Sequence, residues 1–272
     1  MIPPLTAADV AAALGPDAAR VEVVARTGST SSDLAAAVAR DPAAWPHLSV
    51  LAADHQEAGR GRAGRTWTTP PGEALTFSVV LRPPVGPERW GWVPLLAGRA
   101  VALALAPLGV AARVKWPNDV VVGGFPDLPG WGGERKVAGV LAEVVGDALV
   151  LGIGVNTLAE PVPHAVSLAT LGARPDRAAL LAAVIGHLAD GLGLLAAPPP
   201  GAPAVAQACA QVSATLGRPV RVEGPGGTVT AGTAVAFAAD GALVLRTAAG
   251  PVTVHAGDVV HLRTSPGDGP GD

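Results

Sequence analysis

The chain has no tyrosine, three phenylalanines, one methionine and one cysteine, Cys209, in 272 residues. A single thiol cannot close an internal disulfide or build a four-thiolate zinc site, which excludes a disulfide scaffold and a zinc ribbon. It fits a reducing, cytoplasmic setting. With aromatics so scarce, the core must be built from Ala, Val and Leu. Charged residues make up 15% and the net charge is −3, so there is no general attraction to nucleic acid or anionic membrane. The first residues, Met-Ile-Pro-Pro-Leu, lack the basic region and long apolar stretch of a signal peptide. Apolar runs such as 100–108 fall short of the roughly 20 residues that span a bilayer. The expectation is a soluble cytoplasmic protein with neither a nucleic-acid nor a membrane partner.

Lysine and asparagine are nearly absent too. Of 19 basic residues, all but Lys115 and Lys136 are arginine, and Asn118 and Asn156 are the only asparagines. In a composition so biased, the surviving lysines mark places where a compact ammonium serves and a planar guanidinium does not.

What is present is a hydrophobic fraction of 49%, enough for a large domain and a small one. Residues 6–9 read as a capping box opening a helix to 14. A strand at 21–26 and a helix at 32–40 follow. Apolar strands at 48–53 and 75–81 flank a Gly/Arg-rich loop, and 92–108 is a long apolar helix. Residues 113–122 and 137–145 read as paired strands joined by a Gly/Pro/Trp-rich excursion at 123–134, with a buried strand at 149–155. Apolar spacing predicts a helix at 176–196, then a Pro-rich linker at 198–203 and a last helix at about 204–216. Five short strands follow at 220–223, 228–237, 243–247, 252–255 and 259–262, a small all-β barrel. The expected domains are 1–216 and 217–263, with a disordered tail at 264–272. Strands and helices mix without βαβ alternation, so the class is α+β.

Four motifs carry the chemistry. Residues 56–67, Gln-Glu-Ala-Gly-Arg-Gly-Arg-Ala-Gly-Arg-Thr-Trp, interleave glycines, which let backbone N–H groups approach a ligand, with forked arginine donors for phosphate or carboxylate. The plainer alternative is a solvated basic loop or an Arg/Gly nucleic-acid segment, but this loop sits between two apolar strands. Residues 115–119, Lys-Trp-Pro-Asn-Asp, gather an ammonium, an amide and a carboxylate, able to serve triphosphate and Mg²⁺ together; an edge strand with a surface Lys–Asp pair reads equally well. Residues 136–143 begin with Lys136 and include Gly139, a hint of close backbone approach; a solvated strand-end lysine is the simpler account. In residues 152–156, Gly-Ile-Gly-Val-Asn, the glycines signal either a ligand passing close or a bulge. Ser29, Thr30 and Ser31 precede a helix, where capping is the cheaper reading. The histidines show no metal-ligand spacing and are taken as structural or surface residues. There is no Walker loop.

Taken in order, these motifs closely resemble the biotin–protein ligase family, over about residues 20–263. Ser31 stands where the family has Asn, Ala63 where it has a further Arg, and the 123–134 excursion is longer than usual. The resemblance implies a mixed-sheet ligase domain of the biotin/lipoate type with a small C-terminal SH3-like barrel. It implies ATP-dependent attachment of biotin to a lysine of a biotin carboxyl-carrier protein through biotinyl-AMP, with ATP and Mg²⁺ required. It places Lys136 between the biotin carboxylate and the α-phosphate, with Lys115, Asn118 and Asp119 as further catalytic residues and Asp119 toward Mg²⁺. The implied biotin set is Ser29, Thr30, Ser31, Gln56, Gly59, Arg60, Gly61, Arg62, Lys136, Gly139, Gly152 and Gly154. The implied nucleotide set is Arg60, Arg62, Arg65, Trp67, Lys115, Asn118 and Asn156. The small domain carries no motif residue, so its expected part is carrier positioning or completion of the ATP site, and its loss should leave biotin binding measurable. About 20 residues precede the first strand, fewer than the roughly 40 a folding domain needs, so no DNA-binding repressor role is expected. The assembly is expected to be a monomer or homodimer. A lipoate–protein ligase is the nearest alternative, opposed by the Gly/Arg loop and Lys-Trp-Pro-Asn-Asp. A non-catalytic RNA-binding protein is the distant one, opposed by the charge and the missing aromatic platform.

Overall fold

A computed structural model describes residues 3–15, 19–197 and 201–262. The expected tail at 264–272 and residues 198–200 of the expected linker lie outside the described residues. In chain order the elements are α1 (Ala7–Leu14), β1 (Val21–Val24), α2 (Thr30–Arg40), β2 (Val50–Ala53), the short β3 (Gly59–Arg60) and β4 (Thr66–Trp67), β5 (Ala74–Leu81) and α3 (Trp92–Leu105). Then come β6 (Ala112–Lys115), β7 (Asp119–Val122), β8 (Arg135–Val145), β9 (Ala148–Asn156), α4 (Arg177–Ala196) and α5 (Gly201–Gln211). The chain ends in β10 (Pro219–Glu223), β11 (Val229–Phe237), β12 (Leu243–Thr247), β13 (Gly250–Val254) and β14 (Asp258–His261).

A mixed sheet in the order β1-β2-β5-β9-β8-β7-β6 forms the frame, with β1 parallel to β2 and the other pairs antiparallel. Its central strands are covered on both faces, so they read as near-continuous apolar runs. In β5, Leu75, Phe77, Val79 and Leu81 enter the large core and Val80 enters a smaller core with Leu34 and Val38 of α2. The period of two places Thr76 and Ser78 on the α2 side, where the functional cleft opens. On the other face α3 packs against α4, and α4 against α1.

The β10–β14 strands form an antiparallel sheet in the order β13-β12-β11-β10-β14. Its buried Val220, Val222, Ala234, Leu243, Leu245 and Val259 belong to the same core as the large domain. Trp92 makes an edge-on contact with Phe237, centroids 5.8 Å apart, and donates from Nε1 to Ala239 O. The two parts share one hydrophobic core, so removing the small one would strip apolar cover from α3.

Several boundaries differ from the sequence reading. Residues 113–122 are a hairpin, not one strand: β6 turns at Trp116–Pro117 and returns as β7, since Pro117 has no N–H for a ladder. α2 starts at Thr30, because Ser29 caps it by accepting from Ser32 N–H. α5 starts at Gly201, inside the expected linker, and ends at Gln211; beyond it Ser213 bridges to Val114. The expectation that no segment reaches membrane-spanning length needs amending. α4, at 20 residues, is long and apolar enough by length and composition. Half of its most apolar stretch is buried, as befits a core helix.

Candidate functional site

The register of the central strands builds the floor of the site. Gly154 pairs with Thr76 on one side and Gly139 on the other; Gly152 pairs likewise with Ser78 and Leu141. The glycines are empty for identifiable reasons. A Cβ on Gly154 would stand 2.5 Å from Trp67 Cε2, and one on Gly139 would stand 2.9 Å from Lys136 Nζ and 3.3 Å from Trp67 Cζ3. A Cβ on Gly152 would collide with Ser31 Oγ. The missing side chains make room for Trp67, Lys136 and Ser31, and all three glycines also line a cleft of about 600 Å³.

One half of the cleft is neutral and hydroxyl-rich. Gln56 Oε1 accepts from Thr30 N–H at 2.8 Å and Thr30 Oγ1 at 3.0 Å. Ser78 Oγ lies 2.8 Å from Thr30 Oγ1 and 3.0 Å from Ser31 Oγ. Ser29, Thr30, Ser31 and Gln56 are buried and line the cleft. The N-terminus of α2 points its partial positive charge into this region.

The other half is cationic. Lys136 is ion-paired with Asp119 at 2.5 Å, both about one-fifth exposed. Its backbone is held by the segment after β9: its N–H donates to His164 O at 2.7 Å, and its carbonyl accepts from Val166 N–H and Asn156 Nδ2. Asn156 Oδ1 and Trp67 Nε1 are buried without a partner, leaving one acceptor and one donor for a ligand. Asn118 Nδ2 donates to Val140 O, and Asn118 Oδ1 accepts from Arg62 at 3.1 Å. The loop arginines each have a separate partner: Arg60 pairs with Glu143, Arg65 with Asp258, and Arg62 also reaches Gly257 O. They do not simply repel one another. Burial lowers the Arg62 pKa, against the pull of Asp258 and Asp119.

Two residues assigned from the motifs stand outside the cleft lining. Lys115 does not line the cleft. Trp131 does, and the Lys115 ammonium sits 4.2 Å from its ring centroid, while the indole also stacks on His164 at 4.3 Å. Burial lowers the Lys115 pKa, with Asp119 and Glu134 opposing. Gly59 does not line the cleft either; it is buried where β3 pairs with Trp67, and a Cβ would strike the Trp67 carbonyl. The other site residues assigned from the motifs all line the cleft. Sequence reasoning missed Ser78, although a polar residue in an apolar strand was a usable signal. It also missed His164, set aside with the other histidines, and the pairing partners Glu143 and Asp258, which no local pattern marks. Among the described residues no group of three or more His, Cys, Asp or Glu could hold a metal.

Residues 24–157 match the biotin/lipoate A/B protein ligase family, and residues 215–262 match the biotin protein ligase C-terminal domain. Together with the sheet and cleft, these matches define a protein ligase of the biotin/lipoate type. A relative spanning nearly the whole chain narrows the class. The chain is 39% identical, over 90% of both proteins, to the biotin–[acetyl-CoA-carboxylase] ligase of Mycobacterium tuberculosis. A second ligase of that name, from Paracoccus denitrificans, is 40% identical over 53% of this chain and 57% of its own. The biotin protein ligase of Aquifex aeolicus, solved with biotin and ATP, superposes with a TM-score of 0.71 at 25% identity, covering 90% of this chain and all of that one. The chain belongs to the biotin–protein ligase family.

Proposed function

We propose that this protein activates biotin with ATP and transfers it to a lysine of a biotin carboxyl-carrier protein in the cytoplasm, with no part played by nucleic acid. The observation that carries this is the position of Lys136. Its ammonium lies 5.7 Å from the ring of Trp67, at the end of the arginine-bearing loop, in the one cleft that the hydroxyl group also lines, and there an uncharged ring head, a carboxylate and a phosphate would follow one another.

In the first step the biotin carboxylate oxygen attacks the α-phosphorus of ATP; the bond to the β-phosphate breaks and pyrophosphate leaves. Two anions must approach, so fixed positive charge at the reacting oxygens supplies the main stabilisation. Lys136 provides it at short range, and Arg60, Arg62 and Arg65 offer forked donors. Ser29, Thr30, Ser31 and Gln56 hold the ureido head by hydrogen bonds; Ser31, replacing the family's Asn, works as a pair with Ser78. Trp67 and Asn156 offer their unpartnered donor and acceptor. Asp119, a carboxylate of the cleft lining, would hold a Mg²⁺ ion delivered on the triphosphate, which would neutralise phosphate charge there. In the second step the carrier amine attacks the acyl carbon, AMP leaves, and the amine loses a proton. Loop residues 56–65 exclude water from the mixed anhydride in between.

Titration calorimetry with biotin, with and without ATP and Mg²⁺, tests the reading. Biotin binding that ATP tightens, plus biotin-dependent pyrophosphate exchange, supports it. Lipoate binding in place of biotin, or RNA binding that salt abolishes, would overturn it.

A further inference from the structure

The Glu134 and His261 side chains are only 11% and 9% exposed. His261 Nδ1 lies 3.0 Å from Glu134 Oε2, and Arg218 Nη1 donates to Glu134 Oε1 at 2.8 Å. On the other side of the ring, Nε2 lies 3.3 Å from Thr215 Oγ1, and that hydroxyl accepts the Trp116 N–H at 3.0 Å. One arrangement of protons satisfies these groups. A carboxylate can only accept, so Nδ1 carries the proton toward Glu134. Nε2 then accepts from the Thr215 hydroxyl, which in turn accepts from Trp116. Arg218 Nη1 also lies 2.8 Å from Nδ1, and with Nδ1 protonated its proton goes to Glu134. Burial lowers the His261 pKa against the pull of Glu134, in keeping with a neutral ring.

The two ends of this chain of bonds fall beside the two lysines. Glu134 precedes Lys136 by two residues, and Trp116 directly follows Lys115. The imidazole comes from β14, the last strand of the C-terminal sheet. A ring bonded at both edges has a fixed span, which an apolar side chain of similar size could fill but not impose.

We propose that His261 is a positioning residue for adenylate formation: its hydrogen bonds to Glu134 and Thr215 fix the segment that carries Lys136 against the one that carries Asn118 and Asp119, all three of which line the cleft. The C-terminal sheet thereby acts in the first chemical step, besides covering the core. This rests on the ligase reading above. It leaves the hydroxyl pocket untouched, since His261, Glu134, Arg218, Thr215 and Trp116 all stand outside the cleft lining.

The test is biotin-dependent pyrophosphate exchange by the full-length protein, with active sites counted by adenylate burst. His261→Ala should lower kcat tenfold or more, toward the roughly 100-fold that a displacement of about 1 Å costs, while KM for biotin stays unchanged. His261→Asn, whose amide can still donate to Glu134, should recover most of kcat. Unchanged kcat per active site in His261→Ala, or His261→Asn as poor as His261→Ala, would overturn the proposal. If His261→Ala does not fold, Glu134→Gln decides. It keeps the shape but removes the charge that receives the imidazole and guanidinium protons; lowered kcat with normal biotin KM supports the proposal and wild-type kcat refutes it. No exchange by the wild-type protein would instead refute the ligase reading.

Discussion

The two halves of the cleft are held together in opposite ways. In the hydroxyl half, Thr30, Gln56, Ser78 and Ser31 bond to one another and are buried, with Thr30 and Ser31 on the first turn of α2, Ser78 in the middle of β5 and Gln56 in the loop after β2. In the cationic half, Lys136, Arg60 and Arg65 are tied to Asp119, Glu143 and Asp258, and both arginines are at least half exposed. Ion pairs at that exposure contribute about 0–1 kcal/mol each. An arriving phosphate or carboxylate can replace them at little cost. The lesson is a division of labour: one half is pre-formed for a neutral head group, the other is held in readiness by contacts that an anion exchanges.

The contrast can be broken most directly at Lys136, where the halves meet. Lys136→Ala should fold normally and lose about 100-fold or more in adenylate formation, the scale for removing a preorganised charge. Lys136→Arg should also be poor, because a fork does not fit a point-charge site. Pyrophosphate release near the wild-type rate in either variant would remove Lys136 from the reaction.

A smaller effect is expected within the pre-formed half. Gln56→Ala deprives the buried Thr30 N–H and hydroxyl of their acceptor. An unsatisfied buried group costs about 1–3 kcal/mol, so biotin affinity measured by calorimetry should fall about tenfold with adenylate chemistry otherwise intact. Full affinity would mean that this half is not pre-formed by Gln56.

Acidification should separate the halves again. Burial lowers the pKa of His47, His164 and His261 below the usual 6.5. Below pH 6.5 the unfolded chain takes up protons that the folded chain refuses, so stability falls as pH drops through that value. Glu134 adds a second loss. Burial raises its pKa, but the hydrogen bond from His261 and the charges of Arg218 and Lys115 outweigh this and hold it below 4.5. Its contribution is therefore present above 4.5 and lost as pH falls through the folded value. Urea midpoints from pH 8 to 4 should decline in that order. His261→Asn should flatten the first decline, and a midpoint unchanged between pH 8 and 5 would contradict the assignment.

The smallest effects belong to the replaceable pairs. Asp258→Asn or Glu143→Gln should change stability by about 1 kcal/mol or less, yet raise hydrogen exchange across residues 56–65 in the empty protein. Biotin with ATP and Mg²⁺ should restore protection to the wild-type bound level. Equal protection of the wild-type loop with and without ligands would end the idea that this half closes on an anion.

Much of this was legible in the residues. Apolar runs marked β5 and β9, a capping box marked α1, apolar residues at helical spacing marked α4, and the short-strand pattern marked the C-terminal sheet. These signals are local, and secondary structure follows local pattern when the core does not overrule it. The Gly/Arg loop and the three motifs around Lys115, Lys136 and Asn156 were found because chemistry-bearing side chains stand close in sequence. The surroundings of Lys115 were not legible for the converse reason: Trp131, whose ring its ammonium meets and which itself lines the cleft, stands sixteen positions away.

The sequence by itself determined the element types, the residues that carry charge toward the reaction, and the family resemblance. Only the tertiary structure decided that Gly139 and Gly154 exist for Trp67, that Ser78 completes the Thr30–Ser31 group, and that the C-terminal sheet reaches Glu134 and Trp116 through His261 and Thr215. The physical reason is range. Turns, caps and alternation depend on neighbours along the chain. Cleared space and buried hydrogen bonds depend on which distant side chains the packing brings within about 3 Å of one another, and a single chain's order of residues does not print that.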